Sequence, residues 1–306
     1  MSTYSLAIHG GAGTILRSEM TEDQEASHRR ALQQALAAGE QILAAGGSAL
    51  TAVETAVKSL EDCEYFNAGR GSVFTHDGRN EMDASIMCGA TLNAGAVAMV
   101  EGVKNPISLS RMVMERSDHV FLCGPGAQEF ARDLEVPILE PDYFFSDFRY
   151  QQLEEARAKN RVQLDHSDKF GTVGAVALDL RGNLAAATST GGLTNKRYGR
   201  VGDSSVIGAG TYANNATCAV SCTGYGEYFL RGVVAYDVSC LMEYQGLSLA
   251  EAADRVINHK QTAMGGDGGL IAVGHKGEIA LPFNSEGMYR GWVRKGEKAG
   301  VAIYRS

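Results

Sequence analysis

The sequence has little proline and more negative than positive charge, and it lacks any long apolar run. Five prolines among 306 residues exclude a collagen-like chain and a proline-rich linker protein. Lysine and arginine number 28 against 36 aspartates and glutamates, which gives a formal net charge of −8. This balance argues against nucleic acid or an anionic membrane as the main partner. No stretch reaches the length of about 18 apolar residues that a membrane-spanning helix needs.

The cysteines show no pattern of a metal site or of a disulfide framework. They form no CxxC pair, and no histidine lies at zinc-finger spacing from them. We therefore expect reduced thiols that pack as small apolar side chains. The first ten residues also lack the basic and apolar segments of a signal peptide. Together these features predict a cytoplasmic protein. The six are Cys63, Cys88, Cys123, Cys218, Cys222 and Cys240.

Several common catalytic and nucleotide-binding motifs are also missing. The sequence has no GxxxxGK[ST], no HExxH and no GxSxG, and the glycine turn predicted at 9–13 lacks the third glycine of GxGxxG. His9, beside that turn, is interpreted as structural. Glycine itself is abundant, with 37 residues, which indicates tight turns and close backbone approaches. A metabolite- or nucleotide-binding protein that uses the glycine-rich turn is the alternative hypothesis.

Hydrophobic periodicity predicts helices and strands before position 154 and mostly strands after position 172. Because strands mostly follow strands, we expect antiparallel sheets with helices packed outside them. A charged segment at 154–169, which ends in a linker at 165–169, separates two parts, and neither part shows a self-contained pattern. The first helix has Thr21 as its N-cap and Gly46 after its end. Predicted helices cover 22–45, 48–61, 107–116, 126–133, 227–244 and 248–259. Predicted strands cover 4–8, 82–88, 94–103, 119–123, 172–178, 184–188, 206–212, 216–222, 269–273, 278–281 and 288–293.

The strand that begins at Thr172 is expected to form a hairpin with the strand that follows. The turn lies at 179–183, and pairing centred on Arg181 places Thr190 opposite Thr172 at the open end. Gly191 and Gly192 follow at the same end, where backbone can approach a substrate closely. Two hydroxyl groups, a glycine pair and the linker therefore meet at one point of the chain.

Cleavage of the Gly171–Thr172 bond would turn this threonine into a nucleophile with its own base. A free threonine α-amine has a reference pKa of about 7.7–8.0. Near neutral pH it takes the proton of the hydroxyl, so that base and nucleophile belong to one residue. Most single threonines at the start of a strand have no such role.

Six motifs in register carry a family resemblance at this point. The chain resembles the plant-type L-asparaginase and isoaspartyl aminopeptidase family of N-terminal nucleophile (Ntn) hydrolases, and its bacterial members in particular. The motifs are AIHGGAG at 7–13, FNAG at 66–69, GTVGAV at 171–176, TSTGG at 188–192, GRVGDS at 199–204 and FNSEGMY at 283–289.

The resemblance implies an α/β fold of four layers, an αββα sandwich with two mostly antiparallel sheets between helical layers. It implies one domain over 1–306 that cleaves itself between Gly171 and Thr172 into fragments 1–171 and 172–306. It further implies a dimer of such heterodimers, with no organic cofactor. The expected activity is hydrolysis of isoaspartyl dipeptides and of the side-chain amide of L-asparagine, through an acyl-enzyme on Thr172.

The same resemblance assigns roles to individual residues. Thr190 matches a second active-site threonine, and Asn67 a supporting asparagine near the nucleophile. Thr223 and Gly224 match the oxyanion hole and also line the substrate site, as does Gly226. Arg200 and Asp203 match the groups that hold the α-carboxylate and the α-amine of the substrate, roles that suit a guanidinium and a carboxylate.

Apart from the family resemblance, the sequence of segment 196–200 is equally consistent with a solvated basic loop and with a site that recruits a small anion. The loop 60–70 matches one that binds a structural sodium ion through main-chain carbonyl oxygens. Arg70 places a cation beside that loop, where a neutral residue is common. The expected sodium ligands are the main-chain carbonyls of Leu60, Glu61, Cys63, Phe66, Ala68 and Arg70.

Two related enzyme classes fit the sequence less well. Glycosylasparaginases carry a signal peptide and disulfides, and the proteases of this superfamily carry a long insertion before the threonine. Neither feature is visible in the sequence. The sequence does not rank asparagine against isoaspartyl dipeptides as the substrate.

Overall fold

The computed structural model describes residues 3–159 and 171–305. A 3₁₀ turn lies at Gly69–Gly71. After Asp254 the chain stays helical over Arg255–Gln261 and Thr262–Met264. The helices are α1 Glu22–Ala44, α2 Ala49–Glu61, α3 Pro106–Arg116, α4 Gly124–Asp133, α5 Asp147–Ala158, α6 Gly226–Gly232, α7 Val234–Gln245 and α8 Leu249–Asp254. The strands are β1 Ser5–Gly13, β2 Met82–Cys88, β3 Ala94–Val100, β4 Phe121–Cys123, β5 Val173–Leu178, β6 Leu184–Thr190, β7 Thr211–Ala213, β8 Cys218–Gly224, β9 Gly268–Gly274, β10 Ile279–Ala280, β11 Gly287–Arg294 and β12 Gly300–Tyr304.

The strands form two sheets. The larger has the order β12-β11-β1-β5-β6-β2-β3-β4, and the smaller has the order β10-β9-β8-β7. Neighbouring strands are antiparallel except β3 and β4. Strands from both sides of position 171 alternate in the larger sheet: β1 pairs with β11 and β5, and β2 pairs with β6. This interleaving explains why neither part of the sequence shows a pattern of its own.

Three apolar clusters separate four layers. One lies between α1, α2 and α3 and the larger sheet, and includes Leu6, Ile8 and Leu32. A second lies between the sheets and includes Val176 and Ile271. The third lies between the smaller sheet and α6, α7 and α8. The predicted fold class, helices outside two mostly antiparallel sheets, is confirmed. In the described ranges, no helix is long and apolar enough to cross a membrane.

Local signals in the sequence account for the first helix and for the central hairpin. Thr21 caps α1: its side chain accepts a hydrogen bond from the backbone N–H of Gln24 while the Gln24 side chain bonds back. Gly46 follows the helix with a φ of 82°, as a C-terminal glycine does. In the β5–β6 hairpin, Val173 pairs with Ser189 and Gly174 with Thr188. The predicted pairing register is therefore confirmed.

The predicted glycine turn at 9–13 is wrong, because β1 runs through it to Gly13. A β-bulge between His9 and Gly11 absorbs the irregularity, and pairing with β11 resumes at Gly11. Gly11 has a φ of 114°, a conformation open to glycine and strained for other residues. The glycines thus continue β1, an interior strand of the larger sheet, past Gly171.

Two other predicted elements differ from the structure. The strand predicted at 206–212 begins only at Thr211, because the chain first makes a turn in which Val206 N–H donates to Asp203 O at 2.9 Å. The helix predicted at 227–244 breaks at Val233, where φ is 48°. After this break, Ala235 N–H donates to Ala209 O at 3.1 Å and Tyr236 N–H donates to Gly208 O at 2.8 Å.

Strand β12 was not predicted, and the predicted linker 165–169 lies outside the described residues. All six cysteines are unpaired, as expected.

Candidate active site

Thr172 lies at the open end of the hairpin with its side chain between two other hydroxyl groups. Its Oγ1 donates to Thr190 Oγ1 at 3.1 Å, and Ser204 Oγ lies 3.4 Å from it. All three side chains are buried. The hairpin register brings Thr190 here, and the turn before β7 brings Ser204. A hydroxyl held by two others is well placed for proton transfer, and a base beside it makes it a nucleophile.

Asn67 and the glycine pair hold the far side of Thr190. Gly192 N–H donates to Thr190 Oγ1 at 3.0 Å, and Asn67 Nδ2 donates to Gly192 O at 2.7 Å. The other side-chain atom of Asn67, Oδ1, accepts from Val73 N–H at 3.0 Å. Both functions of the amide are therefore used. Asn67 holds the 190–192 turn rather than Thr172 directly.

Gly171 packs against β1 and against Thr223. A Cβ atom on Gly11 would lie 2.6 Å from Gly171 Cα, and one on Gly171 would lie 3.0 Å from Thr223 Oγ1. Thr223 Oγ1 also accepts a hydrogen bond from Ala12 N–H at 3.2 Å. The peptide before Thr172 thus lies beside the predicted oxyanion-hole residue, in the space that glycines leave open. Gly224 follows Thr223 at the end of β8.

Arg200 and Asp203 meet at Gly226. A Cβ atom on Gly226 would lie 2.7 Å from Arg200 Nη2 and 2.9 Å from Asp203 Oδ1. Only a glycine lets both side chains lie this close to the backbone. Glu227, the next residue, accepts from Arg200 Nε and Nη2, both at 2.9 Å. This ion pair holds the guanidinium through one edge, and its third nitrogen, Nη1, faces Gly192 and Gly202.

The Asp203 carboxyl is buried, and its Oδ2 has no hydrogen-bond partner among the described residues. Burial raises the pKa of Asp203 to about 7, against the opposing effect of the Arg200 charge. A buried carboxylate without a second partner is costly. A cationic ligand group would supply that partner and favour the ionised form.

Lys196 and Arg200, at the two ends of the basic segment, are largely buried, whereas Tyr198 between them is 99% exposed. Lys196 is only 1% exposed, and its Nζ donates to Glu81 O at 2.7 Å. A Cβ atom on Gly192 would lie 3.1 Å from this ammonium and 3.5 Å from Arg200 Nη1. Two cations therefore face the glycine turn that holds Thr190. This arrangement favours a site for a small anion over a solvated basic loop.

Comparison with known proteins identifies the family. The family model described as asparaginase matches residues 2–303. The chain belongs to the asparaginase family. It is 54% identical to the isoaspartyl peptidases of Salmonella typhimurium and Escherichia coli, covering all of this chain and 100% and 97% of those proteins. It is 43% identical to the isoaspartyl peptidase/L-asparaginase of Mus musculus, over 97% of this chain and 90% of that protein. Family membership confirms that the chain is a hydrolase and disfavours the nucleotide-binding alternative.

The loop that would hold sodium in this family brings main-chain carbonyls together. A Cβ atom on Gly71 would overlap Phe66 O and lie 2.8 Å from Glu64 O, and one on Gly69 would overlap Glu61 O. The Arg70 guanidinium lies at the surface, 3.8 Å from Glu64 and over the Tyr143 ring. Its charge is therefore not inserted among the carbonyls. Carbonyl oxygens are ligands that suit a hard cation, and the sodium site stays a prediction.

The side chain of Glu61 connects this loop to the site. Its Oε1 accepts from Ser189 Oγ at 2.7 Å and from Ile107 N–H at 3.0 Å, and burial raises its pKa to about 8. Ser189 precedes Thr190, so the loop and the hairpin are tied together beside the nucleophile.

Four residues at this site have no catalytic or binding role in the sequence analysis. They are Ser204, which lies in the GRVGDS motif, Glu227, Lys196 and His9, which the sequence predicts to be structural. The Nδ1 of His9 lies 2.9 Å from Thr172 O. The one signal for this contact in the sequence is the position of His9 just before a glycine pair. The contact itself depends on the β-bulge after His9, which forms only in the folded sheet.

Proposed function

We propose that the protein is an isoaspartyl peptidase with L-asparaginase activity, which cleaves itself between Gly171 and Thr172 to expose its nucleophile. The observation that carries this proposal is the contact between Thr172 and Thr190, with Gly171 beside Thr223. The names of the similar bacterial and mouse proteins support the substrate class.

Self-cleavage uses the hydroxyl of Thr172. It attacks the Gly171 carbonyl carbon, the C–N bond breaks, and an ester joins Gly171 to Oγ1. Water hydrolyses this ester and leaves a carboxylate on Gly171 and a free α-amine on Thr172. Departure of Gly171 opens the space beside Thr223 and Gly11. The fragments 1–171 and 172–306 then remain together, because their strands alternate in the larger sheet.

Substrate hydrolysis repeats the attack on an external bond. The α-amine takes the hydroxyl proton, and Oγ1 attacks the side-chain carbonyl of asparagine or the β-linked peptide bond of an isoaspartyl dipeptide. Thr223 and Gly224 stabilise the negative oxygen, an arrangement often worth about 2.7–4 kcal/mol per donor. Ammonia or an amino acid leaves with the proton, and water releases aspartate from Thr172. Thr190 orients the hydroxyl throughout.

The substrate is held by groups of complementary charge. Arg200 binds its α-carboxylate through the nitrogen that Glu227 leaves free, and the ionised carboxylate of Asp203 binds its α-ammonium. Gly226 lets both side chains lie against the backbone, side by side. This arrangement selects a small zwitterion whose side-chain carbonyl extends toward Thr172.

We also propose a structural sodium ion held by the carbonyls of Leu60, Glu61, Cys63, Phe66, Ala68 and Arg70. The crowding of carbonyls around Gly69 and Gly71 supports it. The ion would fix the loop that carries Asn67. A cytoplasmic location and a dimer of heterodimers complete the proposal, supported by the unpaired cysteines and by the family resemblance.

One experiment tests the central proposal. Wild type and Thr172→Ala are incubated and run on a denaturing gel, and ammonia release from asparagine and cleavage of β-aspartyl dipeptides are measured. We expect two bands and both activities for wild type only. A single wild-type band without ammonia release would contradict the proposal. Kinetics with asparagine and several dipeptides then rank the substrates.

A further inference from the structure

His9 connects Thr172 to a series of hydroxyl groups that no catalytic role explains. His9 Nδ1 lies 2.9 Å from Thr172 O, which can only accept, so Nδ1 carries the proton. His9 Nε2 then accepts from Ser221 Oγ at 2.9 Å. The imidazole is fully buried, and burial lowers its pKa to about 3. His9 is therefore neutral, with one defined tautomer.

The series continues across both sheets. Ser221 Oγ lies 2.7 Å from Thr188 Oγ1, and Thr211 Oγ1 donates to Thr188 Oγ1 at 2.5 Å. Ser85 Oγ lies 2.8 Å from Thr211 Oγ1, but it donates its one proton to Ser204 O at 2.6 Å and so stands outside the series. Because the proton of Ser221 goes to His9, Thr188 donates to Ser221 at 2.7 Å rather than to Gly210 O at 3.2 Å. The order of donation, which we name the donor chain, is Thr211, Thr188, Ser221, His9 and the carbonyl of Thr172.

The donor chain is a built feature of the fold. Its four side chains are fully buried and come from four strands, β7, β6, β8 and β1. Gly174 lies beside it, and a Cβ atom there would overlap Ser221 Oγ and His9 Nε2. Hydrogen bonds that run in one direction strengthen one another in a low-dielectric interior. The bond strengthened in this way is the last of the series, from His9 Nδ1–H to the Thr172 carbonyl.

We infer that the donor chain positions Thr172 for catalysis by holding its carbonyl through His9. This inference rests on the proposed function. Once the bond to Gly171 is cut, Thr172 has no covalent tether on its amine side. Its orientation then depends on its hydroxyl contacts and on the bond from His9. A misplacement of about 1 Å at a reacting group can cost about 100-fold in rate. His9 is a positioning residue, since it touches the nucleophile's main chain and not the substrate.

Two His9 variants separate positioning from packing. The side-chain amide of Asn places an N–H donor near the site of Nδ1, and that of Gln places an oxygen acceptor near the site of Nε2. His9→Asn therefore keeps the bond to Thr172 O, whereas His9→Gln keeps the bond to Ser221. We expect His9→Asn to retain kcat within about 5-fold and His9→Gln to lose about 100-fold, both with an almost unchanged KM. Equal losses, or a loss that lies in KM, would overturn the inference.

A matched pair of threonine variants tests the remote part. Thr211→Val removes a hydroxyl within the donor chain, and Thr217→Val removes a buried hydroxyl bonded to Ser239 at 2.6 Å outside it. We expect Thr211→Val to lower kcat by about 5–10-fold, the size of one hydrogen bond, and Thr217→Val to leave kcat unchanged. Equal kcat values for the two variants would refute a remote contribution.

All rates are expressed per mole of the 172–306 fragment, quantified on a denaturing gel, so that incomplete self-cleavage does not count as lost catalysis. If a variant cleaves itself too slowly for its kcat to be measured, self-cleavage rates are compared instead. His9→Gln should then cleave more slowly than His9→Asn, and Thr211→Val more slowly than Thr217→Val. Failure of wild type to cleave or hydrolyse defeats the proposed function. The nitrogen spectrum of ¹⁵N-histidine in wild type tests the donor chain separately, and a proton on Nε2 of His9 would contradict it.

Discussion

Gly11 lies directly against Gly171, the residue before the nucleophile. A side chain at Gly11 would meet the Gly171 backbone, and the φ of 114° at Gly11 adds strain for any other residue. The bulge in β1, where the sequence predicts a turn, thus lies against the peptide bond at which we propose self-cleavage.

Gly11→Ala will therefore slow self-cleavage, by at least about 10-fold, because its Cβ displaces the carbonyl that Thr172 must attack. Gly13→Ala is the matched control on the same strand, since no atom of residues 3–159 or 171–305 lies within 4 Å of a Cβ at that position. The fraction of cleaved chain is followed with time on a denaturing gel. Similar rates for the two variants would show that the Gly11 contact does not govern cleavage.

The ion pair between Arg200 and Glu227 leads to a prediction about substrate binding. Glu227 fixes the guanidinium by one edge and leaves Nη1 for the substrate. Glu227→Gln loses this charge-assisted hold, so we expect KM for asparagine to rise about 10-fold with little change in kcat. Arg200→Ala removes the carboxylate partner itself and should lower kcat/KM by about 100-fold or more.

Asp237→Asn provides the control for Glu227→Gln, because Asp237 pairs with Lys260 at 2.8 Å on the outer helical layer. Its kinetics should match wild type. A lower KM in Glu227→Gln would mean that Glu227 competes with the substrate for Arg200 instead of orienting it.

The sequence predicted those parts of the site that depend on local chemistry. The turn around Arg181 fixes the hairpin register, and that register alone brings Thr190 to Thr172. The glycine motifs, read through the family, located Arg200, Asp203 and Thr223. Helix α1 followed from its capping residues.

The remaining parts depend on how the two sheets pack. Ser204 reaches Thr172, and Thr211 reaches Ser85, only because β7 of the smaller sheet lies over β2 and β6 of the larger one. No spacing along the chain encodes these contacts. The break at Val233 has the same origin, since carbonyls of the 206–210 turn accept from the first N–H groups of α7. Local periodicity alone gives one continuous helix there.

Removal of sodium tests the loop at 60–70. If the carbonyls hold the ion, it stabilises the folded chain by mass action. We expect a melting temperature several degrees lower in choline chloride than in sodium chloride at equal ionic strength. Activity should fall in parallel, because the loop carries Asn67 and Glu61 ties it to Ser189. Identical melting curves in the two salts would argue against a sodium site.

The buried carboxyl of Asp203 predicts how substrate binding depends on pH. Its pKa in the free enzyme is about 7, and only the ionised form attracts the ammonium of the substrate. KM for asparagine should therefore fall as pH rises through about 7. The ionisation of the Thr172 α-amine, which has a reference pKa of about 7.7–8.0, should instead determine how kcat at saturating substrate depends on pH.

Asp203→Asn separates these two ionisations. Its KM should be high and independent of pH, while kcat still rises with pH. Stability gives an independent check, because a carboxyl whose pKa is raised by folding favours the fold when protonated. This contribution is complete below the unfolded pKa of about 3.9 and is lost as pH rises through about 7. The free energy of unfolding of the ligand-free enzyme should therefore decrease over that interval in wild type relative to Asp203→Asn. A KM that still varies with pH in Asp203→Asn would assign the ionisation to another group.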